Sequence, residues 1–209
     1  MKRGTNRERI LSASIELFNL SGVVAVTTNH IASHLGISPG NLYFHFGNKE
    51  EIIRELFDRM CHDVYAIWLG SDQLDSKSTP TSLVERSYEV FWSYRFFHRE
   101  MYHLRRKDPI LARKWKQHLV KTVRLLTATY SVWVKNDVMK QIKESGEMRM
   151  ISDVVLITSS SFLQFYESPA RPASRRSLRQ GIEHILRFLM PYHTEKSRGA
   201  VETKLATYA

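Results

Sequence analysis

One cysteine in 209 residues, Cys61, has no partner within the chain. An internal disulfide framework is excluded, and a reducing compartment is the natural setting. No apolar run approaches the ~20 residues that a membrane-spanning helix needs, and no signal-peptide pattern opens the chain. The expectation is therefore a cytoplasmic protein without a membrane partner. Acidic residues are also scarce: 21 Asp and Glu against 31 Lys and Arg leave a net charge of +10, which favours a polyanionic partner. Catalytic motifs are lacking too. There is no G-x-S-x-G, no phosphate-loop glycine motif, no H-E-x-x-H, and no cysteine paired with a motif histidine. The chain is read as a non-enzyme with no cofactor and no metal.

What the chain does have is concentrated between Thr27 and Lys49, reading TTNHIASHLGISPGNLYFHFGNK. Thr27 can N-cap a helix, because its hydroxyl can accept from an orphan backbone N–H two or three residues on. Ile31, Ala32 and Leu35 form its buried stripe, and Gly36 supplies a left-handed stop. Ser38 caps the next helix, and Pro39 sits at its first position, where a missing N–H does no harm. Leu42 and Phe46 turn inward, Gly47 ends the helix, and Asn48 with Glu51 starts a third. Two short helices at a tight glycine turn make a helix-turn-helix, whose second helix offers its N-terminal residues to a major groove. Pro39 and Gly40 permit close approach of the backbone, Asn41 can pair with a base edge, and Tyr43, His45 and Lys49 suit phosphate oxygens.

The stretch TTNHIASHLGISPGNLYFHFGNKEEII resembles the DNA-binding signature of the TetR family of bacterial transcriptional regulators, nearly without gaps over the first fifty-five residues or so. By that resemblance Thr28, Tyr43, His45 and Lys49 touch the DNA backbone, with Ser38, Gly40 and Asn41 nearer the bases. The candidate DNA-binding set is Thr27, Thr28, Ser38, Pro39, Gly40, Asn41, Tyr43, His45 and Lys49. Gly47 departs from the family pattern, in which a lysine is common, and that phosphate contact is in doubt. His30 and His34, four apart, have the spacing of a metal pair, but no Cys, Asp or Glu lies nearby in sequence, and they are read as facing solvent or phosphate.

Around this centre the fold class is all-α, with about nine helices. Residues 1–50 are expected to form a three-helix DNA-binding domain, 51–193 a helical effector-binding and dimerisation domain, and 194–209 a mobile tail. The basic arm from Met1 to Arg9 precedes a helix that Thr5 and Glu8 open as a capping box and Gly22 closes. Within the first forty-nine residues the net charge is only +3, so hydroxyls, backbone N–H groups and a second copy must supply much of the affinity. A helix from Asn48 to about Leu69 forms a strut whose pivot can link ligand to operator. Gly70 to Thr81 is read as a loop, Ser82 to Phe97 as one helix, and Pro109 to about Lys143 as another. Ile151 to Glu167 and Ser174 to Met190 complete the set.

Aromatic residues exceed what one small helical layer needs. Phe91, Trp92, Tyr94, Phe97, Tyr102, Trp115, Tyr130 and Trp133 are the candidates for a largely apolar effector pocket. The stretch from Tyr94 to Trp115 also resembles, more weakly, the regulatory domain of one TetR subgroup. Between Arg99 and Arg124 lie nine Lys or Arg and two acids, read as a solvated basic face, as long-range attraction to DNA, or as a mouth for an anionic amphiphile. The last two helices are too apolar for one partner and are assigned to a homodimer, whose two-fold symmetry suits a palindromic operator. The expected function is a ligand-responsive repressor that binds double-stranded operator DNA and is released by a small-molecule effector. The alternative is an effector-independent structural DNA-binding protein.

Overall fold

The computed structural model of the protein describes residues 5–69, 79–144, 146–168 and 170–208. Its helices are α1 (Asn6–Ser21), α2 (Thr28–Leu35), α3 (Pro39–His45), α4 (Lys49–Leu69), α5 (Pro80–Ser93), α6 (Arg95–Lys107), α7 (Pro109–Lys135), α8 (Glu147–Tyr166), α9 (Arg175–Leu189) and α10 (Glu195–Ala206), with a 3-10 turn at Met190–Tyr192. The fold is all-α, and extended pairing among the described residues is limited to isolated bridges, Met139 with His193 and Ser168 with Arg171. Most of the expected loop from Gly70 to Thr81, and Lys2 and Arg3 of the basic arm, lie outside the described residues.

The chain forms two compact units, Met1–His62 with Ser93–Trp115, and Asp63–Trp92 with Lys116–Ala209. The expected boundary at residue 50 therefore falls inside α4, and the first unit also takes in α6. The reason is a set of tertiary bonds invisible to local pattern. Asn19, buried at the end of α1, donates from Nδ2 to the Ser93 carbonyl at 2.7 Å and accepts the Phe96 N–H at 3.1 Å. It closes α5 and caps α6 at once, so the break falls at Tyr94 rather than after Phe97 as expected. Arg99 donates to the Asn19 carbonyl at 2.8 Å, and Glu100 accepts the Val23 N–H at 2.8 Å. Ring contacts of Phe18 with Phe96 and of Phe57 with Phe97 fill the space beneath.

Local caps in this unit are partly as expected. Thr5 accepts the Glu8 N–H, but the Glu8 carboxylate goes to Arg59 at 2.6 Å instead of completing a capping box. Arg7 pairs bidentately with Glu55 and lies over the Phe46 ring, while Arg9 reaches Asn6 and the Leu35 carbonyl. These two members of the basic arm are thus spent on holding α1 to α4 and α2.

The second unit has its own core, in which Trp68, Tyr88, Tyr130, Trp133, Phe162 and Leu186 are among the buried side chains. Helix α7 stops at Lys135, short of the expected Lys143. There the Val138 and Met139 N–H groups both turn back to the Trp133 carbonyl, and Asp137 adopts a left-handed φ of 58°. The strand-like segment that follows meets residues 191–194: Lys140 N–H donates to the Tyr192 carbonyl at 2.8 Å and Thr194 N–H to the Val138 carbonyl at 3.2 Å. That junction starts α10 in the segment 194–209 expected to be a mobile tail. Val201 and Leu205 are buried in the same core, and Lys204 and the Tyr208 hydroxyl both engage Glu85.

Asp108 shows how one residue can serve two elements. Its Oδ1 accepts the Ile110 and Leu111 N–H groups at 2.9 and 3.2 Å, capping α7, while Oδ2 accepts from Arg54 at 2.8 Å. Asp108→Ala removes a cap and leaves Arg54 without its carboxylate, so it should destabilise the protein by about 3 kcal/mol in urea unfolding. Asp108→Asn keeps the capping oxygen and should lose about half of that.

Candidate functional site

The helix-turn-helix is built from short-range geometry. Thr27 Oγ1 accepts the His30 N–H at 3.2 Å, and His30 Nδ1 accepts the Thr27 N–H at 3.3 Å, so His30 completes a capping box. Gly36 closes α2 at φ 65°, ψ 33°, the left-handed conformation that favours glycine. Ser38 Oγ accepts the Asn41 N–H at 3.2 Å, and Pro39 occupies the first turn of α3. Leu42 and Phe46 are buried, which turns the opposite face of α3 outward. Helix α3 ends at His45 with Phe46 as its C-cap, one residue before the expected Gly47. Gly47 instead gives its N–H to the Glu51 carboxylate at 2.8 Å.

On the outward side Ser38, Pro39, Gly40, Asn41 and Tyr43 are exposed, and His45 is half-buried. The Tyr43 and Thr28 hydroxyls lie 2.9 Å apart, linking α3 to the start of α2, and Asn41 Oδ1 accepts from Asn6 at 3.3 Å. Thr27 is occupied as a cap but remains at the surface. Lys49 is different from its sequence expectation: its ammonium donates to the Val23 and Val26 carbonyls at 2.7 and 2.8 Å. Burial lowers its pKa from the usual lysine value. Two of its three donors tie down the loop between α1 and α2. The His30 and His34 pair is also divided, His34 facing Glu16 at 3.5 Å, and the described residues hold no group of three or more potential metal ligands.

Sequence reasoning missed Phe44. It is 84% exposed, stacked edge-on to His45, and stands diametrically opposite Leu42 on the helix wheel. With Leu42 and Phe46 inward, the 100° step already placed residue 44 at the centre of the outer face. An aromatic side chain is thus left in water at the centre of that face.

The aromatic candidates do not share one pocket. Tyr94, Phe97, Tyr102 and Trp115 belong to the first unit, and Phe91, Trp92, Tyr130 and Trp133 to the second. Tyr94 and Phe97 are buried in the first unit's core, Tyr102 is exposed, and Trp115 lies under the Arg105 guanidinium. In the second unit a cavity of about 40 Å³ is walled by Val64 and Trp68 of α4, Val84, Ser87, Tyr88 and Phe91 of α5, Thr122 and Leu126 of α7, Val155, Leu156 and Ser159 of α8, and Ile185 of α9. Of the eight candidates only Phe91 lines it. Trp92 lies beneath Arg175, and Tyr130 and Trp133 are fully buried and do not line the cavity.

The basic stretch is likewise dispersed. Lys114 pairs with Asp58, Lys107 lines a cleft of about 100 Å³ in the first unit, and Lys116 and Arg124 line an open groove between α7 and α8. None of these cations lines the cavity of the second unit.

Two family models match the chain: bacterial regulatory proteins of the tetR family over residues 10–56, and a TetR bacterial transcriptional repressor model over residues 72–201. The chain belongs to the TetR family. The crystal structure of a TetR-family transcriptional regulator from Marinobacter aquaeolei VT8 is similar with a TM-score of 0.87 and 30% identity, covering 98% of this chain and 99% of that one. The repressor KstR2 of Rhodococcus jostii is 34% identical over 86 residues, 40% of this chain and 42% of that protein. The class D tetracycline repressor of Escherichia coli is 38% identical over 61 residues, 29% of this chain and 26% of its own. The matched segments thus span less than half of these curated relatives.

In this TetR-family regulator one histidine carries a pH signature. His118 of α7 is buried with the Tyr65 hydroxyl at 2.9 Å from Nδ1, and burial, reinforced by Lys121, lowers its pKa to about 4. The unfolded chain takes up a proton near pH 6.5 that the native imidazole refuses. Its contribution is therefore complete above about pH 6.5 and is lost as the pH falls toward 4, on the order of 3 kcal/mol at most. Urea unfolding of His118→Gln across this range should show a flatter pH dependence than the parent protein.

Proposed function

We propose that the protein is a dimeric repressor that reads a palindromic operator through the outer face of α3 and is released by a small effector held in the second unit. The observation that carries this reading is the exposed row Ser38, Pro39, Gly40 and Asn41 at the N-terminus of α3, followed by Tyr43 and Phe44. Small residues let the backbone approach the duplex, Asn41 can present its amide to an adenine edge, and Phe44 can rest against a thymine methyl group. Tyr43, already hydrogen-bonded to Thr28, can hold a phosphate and so position the helix without reading sequence. Gly47 provides no side chain where many relatives carry a lysine, and Lys49 has one N–H donor left for a phosphate.

A second copy has a face to meet. Met150, Val154, Ile157, Ser161 and Phe165 recur at spacings of four, three, four and four along α8, and Ile157 and Phe165 are 66% and 81% exposed. The same helix buries Ile151, Val155, Phe162 and Leu163 inside its own unit. A largely apolar stripe of this kind, broken by the small Ser161, supports subunit contact. Two-fold pairing would then set two α3 helices about one helical turn of DNA apart, ~34 Å. The uncharged cavity supports the effector half of the reading over that of a merely structural DNA-binding protein.

Selection from a random duplex library, followed by fluorescence anisotropy, tests the reader. Tyr43→Phe should weaken binding to all duplexes alike by about threefold to tenfold, whereas Asn41→Ala and Phe44→Ala should each relax preference at one position by about tenfold. Uniform losses for Asn41→Ala and Phe44→Ala would overturn the assignment. For the dimer, the double substitution Ile157→Glu and Phe165→Glu should give a helical monomer in sedimentation velocity and weaken operator binding by about 100-fold. A dimer that survives both substitutions would remove α8 from the interface.

A further inference from the structure

The effector cavity is lined by a buried polar group without a well-formed hydrogen bond. Tyr88 of α5 is 1% exposed, lines the cavity, and its hydroxyl makes no well-formed hydrogen bond, although Ser159 lies close enough to act on it. Such a group is normally paired, because removing a hydroxyl from water without compensation is unfavourable. The ring is closely packed on both sides. Gly181 of α9 leaves the space it occupies, since a Cβ at Gly181 would stand 2.5 Å from Tyr88 Cε1 and 2.8 Å from Phe162 Cδ2. The Phe162 ring packs against it with centroids 4.8 Å apart.

The neighbouring polar groups set the sign of what would satisfy it. Trp68, on the cavity wall, donates its indole N–H to Ser87, and its ring stands 6.3 Å from that of Trp133. The Trp133 indole N–H and the Tyr130 hydroxyl are also buried without partners, and the two rings are 5.5 Å apart. An indole N–H can only donate, and a phenol donates well. Of these groups Tyr88 alone both lines the cavity and lacks a well-formed hydrogen bond, and an acceptor would satisfy its O–H. Every wall residue is uncharged, so a carboxylate or phosphate seated there would lose its hydration without gaining a counter-ion.

Resting on the reading of the second unit as effector-binding, we propose that the effector is an uncharged molecule whose hydrogen-bond acceptor, a carbonyl or ether oxygen, takes the Tyr88 hydroxyl. It is not an anionic amphiphile drawn in by the basic stretch. At about 40 Å³ the cavity is smaller than any such molecule, so entry must displace the wall, and half-buried Phe91, edge-on to Tyr88 at 5.6 Å, is placed to move.

Isothermal titration calorimetry of the full-length protein with three matched pairs tests this: methyl benzoate with benzoate, methyl cinnamate with cinnamate, and methyl decanoate with decanoate. At least one ester should bind, at least 30-fold more tightly than its carboxylate. Tyr88→Phe should weaken that ester by about threefold to tenfold while the free protein's thermal midpoint stays level or rises, because an unpaired buried hydroxyl has been removed. A merely structural tyrosine would instead lower the midpoint and leave ester binding alone, which overturns the proposal. Val155→Phe and, independently, Leu126→Phe narrow the cavity and should abolish ester binding. A carboxylate that binds as tightly as its ester and is lost in the narrowed variants overturns the uncharged class but keeps the cavity as the effector site. Binding untouched by both narrowed variants overturns the class and the site together, and silence of all three esters overturns the class.

Discussion

Helices of eight and seven residues do not persist alone in water, because so short a run barely repays the cost of its first turn. The helix-turn-helix pair α2 and α3 therefore depends on what grips it from outside. The Lys49 ammonium on the Val23 and Val26 carbonyls is the central grip. It fixes the loop that delivers Thr27 as a cap, and α2 begins where that cap points. From α2 the left-handed Gly36 sends the chain into the Ser38 cap of α3. A cation expected to wait for a phosphate is thus first a structural clamp, and its removal would loosen the helix-turn-helix itself.

The same economy runs through the rest of the first unit. Arg7, Arg9, Arg54, Arg59 and Arg99 each close a contact between elements that are distant in sequence. Guanidinium groups suit this because their forked donors meet a carboxylate or a carbonyl in fixed geometry while remaining charged at the surface. A net charge of +10 suggests a surface waiting for a polyanion, yet a good part of it is internal bracing. What faces outward on α3 is instead small, hydroxylic and aromatic.

The legible parts of the structure were those written in local chemistry. Caps at Thr27 and Ser38, the stop at Gly36, Pro39 at the first turn and the inward pair Leu42 and Phe46 each act within four residues, and the structure has them where the pattern put them. The start of α6 is different, since Tyr94 supplies no side-chain cap and the acceptor comes from Asn19, seventy-seven residues away. No window along the chain contains both partners. Helix α10 was hidden for another reason: its buried pair Val201 and Leu205 sits among polar residues and Gly199, too weak a stripe to announce a packed helix. Its start is set by the Val138 and Thr194 junction, again a long-range bond. The aromatic set misled in a third way, because composition reports how many rings a region holds but not which unit each one enters.

The placing of charge in the second unit follows from the cost of burying it. A cation on an open surface keeps its hydration, whereas one facing a small apolar cavity without a partner would lose it. The second unit accordingly keeps Lys116 and Arg124 on an open groove and surrounds its cavity with hydroxyl, indole and aliphatic groups. His118 obeys the same rule from inside, staying neutral because burial opposes its proton. An unpartnered hydroxyl is the exception in so consistent a wall. Gly181, at which any side chain would collide with the Tyr88 and Phe162 rings, leaves the room in which that tyrosine lies.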